Sequence, residues 1–575
     1  MLKTVERNNQ IVIELLKKHK IKKIVVSPGG TNVSFIANIQ NDPFFEIYSV
    51  VDERSAAYIA CGLAEESGEC VVLSCTGATA ARNYFSGLTE AYYSKLPILA
   101  ITSTLPIERI GHNVPQLTDR RNVTNDIVKK SFHLPLVKDE EDEWYCMLNA
   151  NDAMLELKHH YSGPVHINLE TNGLFFEEIE KFQDVNYIER LFLNDKFMDI
   201  KEKKVAIYIG RHSKMSKNLV SEIDLFCEKY NAVVIGDHTS NYSGKYMIPS
   251  SLVACQNNYH PECVKIDLLI HLGNISGAYL NIFPKKVWRV NSDGKLCDNF
   301  KKLTAVFEME EIDFFKKYNL LSKRKNISYF EEWKKEYDNL YSKIPNLPFS
   351  NIYVANKLSK LLPKNSVIHL GILNSLRSWN FFEIDRTISV YANTGGFGID
   401  GCVSSLLGAS LINDEKTYFG IFGDLAFFYD INCLGNRHFG NNVRIIVINN
   451  GLGQEFKNYG CRAYQFKEDT NKYIAAEGHN GNKSKNLIKN FANNLGFDYI
   501  SASSKDEFEN NIKKFLCKSN EKSIIFEIFT DTMDETKALK IIQNLESEPL
   551  EKTKEFIKNI IGQKNLNTIK KIVKR

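Results

Sequence analysis

Long apolar runs are missing from this 575-residue chain. No stretch approaches the roughly 20 residues that a helix needs to cross a bilayer, which argues against integral membrane contact. Met1–Lys23 is too charged for a secretory h-region. An excess of one charge is missing too: 73 Lys and Arg face 69 Asp and Glu, a formal net charge of +4. Nothing global therefore points to nucleic acid. Twelve cysteines occur without a single Cys-x-x-Cys pair, so reduced thiols in a cytoplasmic protein are expected. A Gly-x-Gly-x-x-Gly fingerprint is absent as well, which removes the usual signature of a dinucleotide site.

What is present is ordinary for a globular enzyme: 43% hydrophobic and 25% charged residues. Single cores stop growing near about 250–300 residues, so several domains are expected. Apolar runs alternate with amphipathic stretches throughout, and this β-α-β spacing predicts parallel sheets covered by helices. The reading is an α/β protein of three consecutive doubly wound domains, at 1–185, 195–330 and 345–548. In the first, a helix is expected over Ala80–Ser94. In the third, a strand at Tyr418–Phe422, a helix at Phe427–His438 and a strand at Val443–Ile448 are expected. The charged stretch Phe314–Tyr341 reads as a helical linker. Residues 549–575 form a basic amphipathic tail, with eight Lys and Arg against two Glu over 551–575.

Two loops carry chemistry. Gly423-Asp424-Leu425 ends one predicted strand and Asn449-Asn450 ends the next. Both fall at the carboxyl edge of a parallel sheet, where open α/β sheets bind ligands. A carboxylate and an amide oxygen there suit a hard divalent cation such as Mg²⁺, which takes oxygen ligands and shares them with phosphates. Each loop alone is also a common turn.

Together these loops resemble the signature of thiamine-diphosphate enzymes. The resemblance implies thiamine diphosphate and Mg²⁺ as cofactors and three domains that bind the pyrimidine, occupy the centre and bind the diphosphate. It makes Asp424, Asn450 and the Leu452 carbonyl the metal ligands, with Gly423, Leu425 and Gly453 beside the diphosphate. Ser49–Ala57 resembles the family's pyrimidine site, with Glu53 as the carboxyl that hydrogen-bonds the aminopyrimidine ring and activates the cofactor. A helix N-terminal acid favoured by the dipole, by about 0.3–1 kcal/mol, is the simpler account of Glu53.

Ser27-Pro28-Gly29, Asp52–Ser55, Cys75-Thr76-Gly77 with Asn83-Tyr84, Gly398-Ile399-Asp400-Gly401, Gly423-Asp424-Leu425 with Tyr429-Asp430, and Asn449-Asn450 with Gly453-Gln454 and Phe456 are similar to one subfamily. It is the succinyl-enolpyruvyl-hydroxycyclohexene-carboxylate synthases of menaquinone biosynthesis. From this resemblance Thr76, Asn83, Gly396, Gly398 and Ile399 contact the cofactor, Ile399 holding it bent, and Gln116 reaches the substrate side. A homodimer or homotetramer with active sites at the subunit interface is implied.

The chain departs from that pattern where the synthases place arginines: Thr31 and Thr394 stand at two such positions, and Ala278-Tyr279 stands where they have a Lys-Arg pair. Arg377 and Arg109 keep their charge, and Glu455 replaces an apolar residue. Arginine forks match carboxylates bidentately, so this pocket is expected to disfavour the synthases' own substrates. The expected function is decarboxylation of a small 2-oxo acid, with transfer of the acyl unit to an aldehyde, ketone or keto-sugar held by Thr31, Asn32, Thr394, His112, Glu455 and Phe456. The alternatives are a simple 2-oxo acid decarboxylase and the menaquinone-pathway synthase itself.

Overall fold

A computed structural model describes residues 2–546, apart from 121, 173–174, 279, 323–325 and 519–520. The basic tail at 549–575 and Tyr279 lie outside the described residues. The chain divides into two compact units, 1–191 with 294–306, and 192–293 with 307–575.

In the first unit six strands lie side by side in the order Glu46–Ser49, Lys23–Val26, Val71–Thr76, Ile98–Thr104, Val165–Glu170, Lys130–Leu134, all parallel. Helices cover both faces, so the central strands read as near-continuous apolar runs rather than alternating ones. Every residue of Ile98–Thr104 is buried. Each fully buried aliphatic side chain of this kind contributes about 1.5–3 kcal/mol. The helix Glu53–Ser67 begins where the Asp52 carboxylate accepts from the Ser55 amide at 3.1 Å, and it ends at Gly68 in the left-handed region, φ 67°. Its buried face is small: Ala56, Ala57, Ala60, Cys61 and Ala64. That lets the helix Phe85–Tyr93 approach closely, since a Cβ on Gly87 would lie 2.4 Å from the Ala57 Cβ.

The second unit contains two further sheets. In the first of these, Met247–Pro249, Ala232–Gly236, Val205–Ile209, Lys265–Leu272 and Phe283–Asn291 run parallel in that order. In the second, Ser389–Ala392, Val367–Leu370, Tyr418–Gly423, Val443–Asn449, Ile524–Phe529 and Asp498–Ala502 do the same. The Asn241 side chain joins the two layers. Its Nδ2 donates to the carbonyls of His212, Thr239 and Val390, and its Oδ1 accepts from the Val390 amide at 3.0 Å. Among the described residues, no helix is long and apolar enough to cross a membrane.

Three expected elements differ. Ala80–Ser94 is two helices, Ala78–Asn83 and Phe85–Tyr93. The helix expected at Phe427–His438 starts earlier, as Asp424–Tyr429, and gives way to a 3₁₀ turn at Ile431–Gly435. Asp430 breaks it, leaving helical geometry at φ −119° while its carboxylate accepts from the Ser404 amide at 2.6 Å and hydroxyl at 2.7 Å. The stretch read as a linker is two helices, Glu311–Leu321 and Ser328–Ser342, which bury Phe314, Phe315, Tyr318, Tyr329 and Trp333. Its charges lie on the outer face of core helices.

Candidate active site

The first unit gathers polar groups at the carboxyl ends of Lys23–Val26, Val71–Thr76 and Ile98–Thr104. The loop Ser27–Asn32 turns tightly enough that a Cβ on Gly29 would lie 2.6 Å from the Thr76 Cβ, so glycine is what lets loop and strand touch. The Thr31 and Thr76 hydroxyls are hydrogen-bonded, and the Thr31 hydroxyl also donates to the Ser103 carbonyl at 3.1 Å. Asn32, expected on the substrate, is fully buried instead. Its Nδ2 donates to the Ser27 carbonyl at 3.0 Å, pinning the loop from inside. Glu53 is half-buried at the first turn of its helix. The buried Tyr84 phenol and Cys75 thiol lie close enough to feel its charge. Burial pushes the thiol up to about 12, and Glu53 adds a smaller push in the same direction. Asn83, Arg109, His112 and Gln116 are exposed, and Gln116 takes a left-handed φ of 60°.

Sequence reasoning missed Arg120. Its Nη1 donates to the Thr102 hydroxyl at 2.6 Å, and its Nη2 faces the Ser103 carbonyl at 3.4 Å. Its Nε is buried without a partner. A Cβ on Gly77 would lie 2.9 Å from Nη2. The His166 ring bridges two hydroxyls, with Nε2 2.7 Å from Thr102 and Nδ1 2.8 Å from Ser131. Burial, then the Arg120 charge, hold the His166 pKa down to about 3, so the ring is neutral.

The second unit holds Asp424, 4% exposed, at the head of its short helix. Amides of Leu425 and Gly451 donate to its two oxygens at 2.9 and 2.8 Å, with Gly451 at φ 80°. Burial raises its pKa to about 7 despite these bonds, and the nearby Glu527 charge adds to the rise. Among the described residues, Asn450 Oδ1 accepts only a long bond, 3.4 Å, from the Leu452 amide. Beside it, Asn449 donates to Glu527 at 2.6 Å, and the Tyr499 hydroxyl donates to the other Glu527 oxygen at 2.7 Å. The Gly453 amide is held by the Ala475 carbonyl at 2.6 Å. A buried carboxylate without a cationic side chain, next to an underused amide oxygen, is a donor set that suits a hard divalent ion. The residues present therefore fit the implied metal.

Around these loops, Ile399 is half-buried against the core that includes Cys402, Val403 and Phe422. A Cβ on Gly396 would meet no atom within 4 Å, whereas one on Gly398 would lie 2.3 Å from an Asp400 carboxylate oxygen. Thr394 is fully buried, its hydroxyl unpartnered. Arg377 and Glu455, both expected to face substrate, face each other in a bidentate pair, with both N–O distances 2.9 Å. Asn374 accepts from Arg377, and Asn458 donates to Glu455 and Asn374. Phe456 is 39% exposed. Arg211 is a second missed cation: exposed, it brings Nη1 to 3.9 Å from the Cβ position of Gly395, next to Thr394.

Comparison with known proteins identifies the family. Residues 7–123 match a family described as thiamine pyrophosphate enzyme, N-terminal TPP binding domain. A 2-succinyl-5-enolpyruvyl-6-hydroxy-3-cyclohexene-1-carboxylate synthase of Bacteroides fragilis is 30% identical over 563 residues, covering 93% of this chain and 98% of that one. Synthases of the same name from Bacteroides thetaiotaomicron and Flavobacterium johnsoniae are each 29% identical, over 560 and 558 residues, and are covered to 98% and 97%. These relatives overturn the expectation of a small 2-oxo acid carboligase acting on an aldehyde, ketone or keto-sugar. They favour the menaquinone-pathway alternative. That expectation had rested on Thr31, Thr394 and Ala278-Tyr279 standing where the resemblance implies cationic residues. The chain belongs to the family of thiamine pyrophosphate enzymes that includes the 2-succinyl-5-enolpyruvyl-6-hydroxy-3-cyclohexene-1-carboxylate synthases.

Proposed function

We propose that this chain forms 2-succinyl-5-enolpyruvyl-6-hydroxy-3-cyclohexene-1-carboxylate, the product for which its relatives are named. The succinyl group is what a five-carbon 2-oxo dicarboxylate retains after losing CO₂. The remainder is a cyclic acceptor bearing a ring carboxylate and an enolpyruvyl carboxylate. The observation that carries this reading is similarity across nearly the whole chain, with Glu53 and Asp424 present at the first residues of helices that follow parallel strands and Asn450 just past the end of another strand.

Asp424, Asn450 and the Leu452 carbonyl would hold Mg²⁺, and through it the diphosphate of the cofactor. Thiamine diphosphate, when bound, supplies the electron sink that makes decarboxylation of a 2-oxo acid feasible. Glu53 would exchange a proton with the aminopyrimidine ring, at the start of a helix whose cap fixes its direction. The Glu527–Asn449 bond orients the strand end that carries Asn450. Ile399, braced by the core behind it, would shape the cofactor's conformation. The two halves are proposed to meet across a subunit interface, so the active form is a homodimer or homotetramer.

The test is incubation of the chain with thiamine diphosphate, Mg²⁺, 2-oxoglutarate and the cyclic acceptor, following CO₂ release and the mass of the adduct. CO₂ release dependent on the acceptor, with the adduct formed, is the expected result. Turnover of neither substrate by the loaded protein overturns the reading.

A further inference from the structure

The product named above carries three carboxylates, yet the loop positions where the synthases present arginines hold Thr31 and Thr394. Resting on that reading of the function, we propose that the carboxylate-binding charges of this chain are supplied from other segments, by Arg120 in the first unit and Arg211 in the second.

Arg120 and Thr31 converge on one atom. The Thr31 hydroxyl donates to the Ser103 carbonyl at 3.1 Å, and Arg120 Nη2 faces the same carbonyl at 3.4 Å. The guanidinium thus stands at the strand edge from which a side chain at 31 emerges. It is largely withdrawn from water, and no carboxylate among the described residues pairs with it. Burial depresses its pKa; the Cys75 thiol opposes the fall, Arg82 adds to it, and no carboxylate takes part. A guanidinium held by a hydroxyl and a carbonyl, with its Nε unpartnered, bears the desolvation cost of a charge without its compensation. An incoming carboxylate supplies that compensation through a charge-assisted pair. Gly77 belongs to the same design, because any side chain there would collide with Nη2.

Arg211 repeats the substitution in the second unit. It follows the strand Val205–Ile209 and reaches the turn at Gly395, one residue after Thr394. Thr394 itself is fully buried, so a long cation at 394 would not fit the packing seen, while one arriving from 211 lies on the outer side of the turn. Arg211 is exposed and pairs with no carboxylate among the described residues. Arg377, by contrast, is already occupied by Glu455.

Kinetics of the holoenzyme test this with 2-oxoglutarate and with 2-oxovalerate, which keeps the 2-oxo acid but lacks the distal carboxylate, in the wild type, Arg120→Gln, Arg211→Gln and the double variant Thr31→Arg/Arg120→Gln. Each single substitution is expected to raise KM for 2-oxoglutarate or for the acceptor by roughly 10- to 100-fold, more than it lowers kcat. A substitution on the donor side also collapses the preference for 2-oxoglutarate over 2-oxovalerate. Thr31→Arg is expected to restore part of what Arg120→Gln loses, which a merely structural arginine would not allow. Unchanged KM values in both single variants overturn the proposal. If the wild type forms no adduct, the proposed function fails separately. Calorimetric titration of the holoenzymes with 2-oxoglutarate then decides this inference: weaker binding in the variants supports it, and equal or absent binding overturns it.

Discussion

The two polar clusters, one in each unit, are built on opposite principles. In the second unit the functional carboxylate is buried, fixed by two amides, and flanked by a second acid, Glu527, that is itself held by Asn449 and Tyr499. In the first unit Glu53 is half-buried at a helix start, and the rigidity lies around it, in Gly29 against Thr76 and in the buried Asn32. On the proposed function, a charge that would clamp a cation is immobilised at the cost of its own solvation, and a carboxyl that would exchange a proton is only aimed.

That contrast is sharpest if the two acids fail differently. Glu53→Gln is expected to lower kcat by about 100- to 10,000-fold, the range for loss of a general acid–base group, while calorimetry finds thiamine diphosphate affinity changed much less. Asp424→Asn is expected to reverse the pattern, weakening Mg²⁺-dependent cofactor binding by about 100-fold or more, with Glu527→Gln following at about 10-fold through the Asn449 loop. Equal effects of Glu53→Gln and Asp424→Asn on binding would erase the distinction.

A smaller effect probes the Arg377–Glu455 pair in the second unit. Glu455→Gln frees the Arg377 fork, and the KM for an anionic donor is expected to fall by about threefold to tenfold. The gain is modest because both side chains keep partial contact with water, 17% and 26% exposed. A rise in KM would show that Glu455 itself contacts substrate.

The smallest expected effect is shared by both units. His166 in the first and His271 in the second are buried and neutral, each with its pKa lowered from 6.5 to about 3. A depressed folded-state pKa means that the unfolded chain binds the proton first. The stability contribution is therefore complete above about pH 6.5 and is lost as pH falls towards 3. Thermal melts should show Tm declining through that window, with His166→Gln flattening the slope. A pH-independent Tm there would contradict the assignment.

Much of this was legible in the sequence because the strands leading to Asp424 and Asn450 are buried and parallel. Tyr418–Phe422 and Val443–Ile448 read as apolar runs ending at Gly423 and Asn449, and the structure extends each by a single residue. The helix after Gly423 was misjudged because apolar periodicity continues past Asp430, whereas the stop is imposed by Ser404, 26 residues away in sequence. Phe314–Tyr341 misled in the opposite way, its outward charges outnumbering the aromatic residues that pack inward. Arg120 and Arg211 were invisible for a related reason. Nothing local marks Arg120 as a neighbour of Thr31, or Arg211 as a neighbour of Gly395, since only the register of the sheets brings them together. The pairing of Arg377 with Glu455 spans 78 residues and depends on the helix Asn374–Asn380 meeting the 3₁₀ turn Gln454–Lys457.

Asn241 has a consequence beyond joining two layers. Ser389–Ala392 is the outermost strand of its sheet, and such a border offers unpaired amides and carbonyls to any passing chain. By giving Val390 both a donor and an acceptor, one carboxamide imitates the peptide group of a missing neighbour. That blunts the border against self-association without adding a strand.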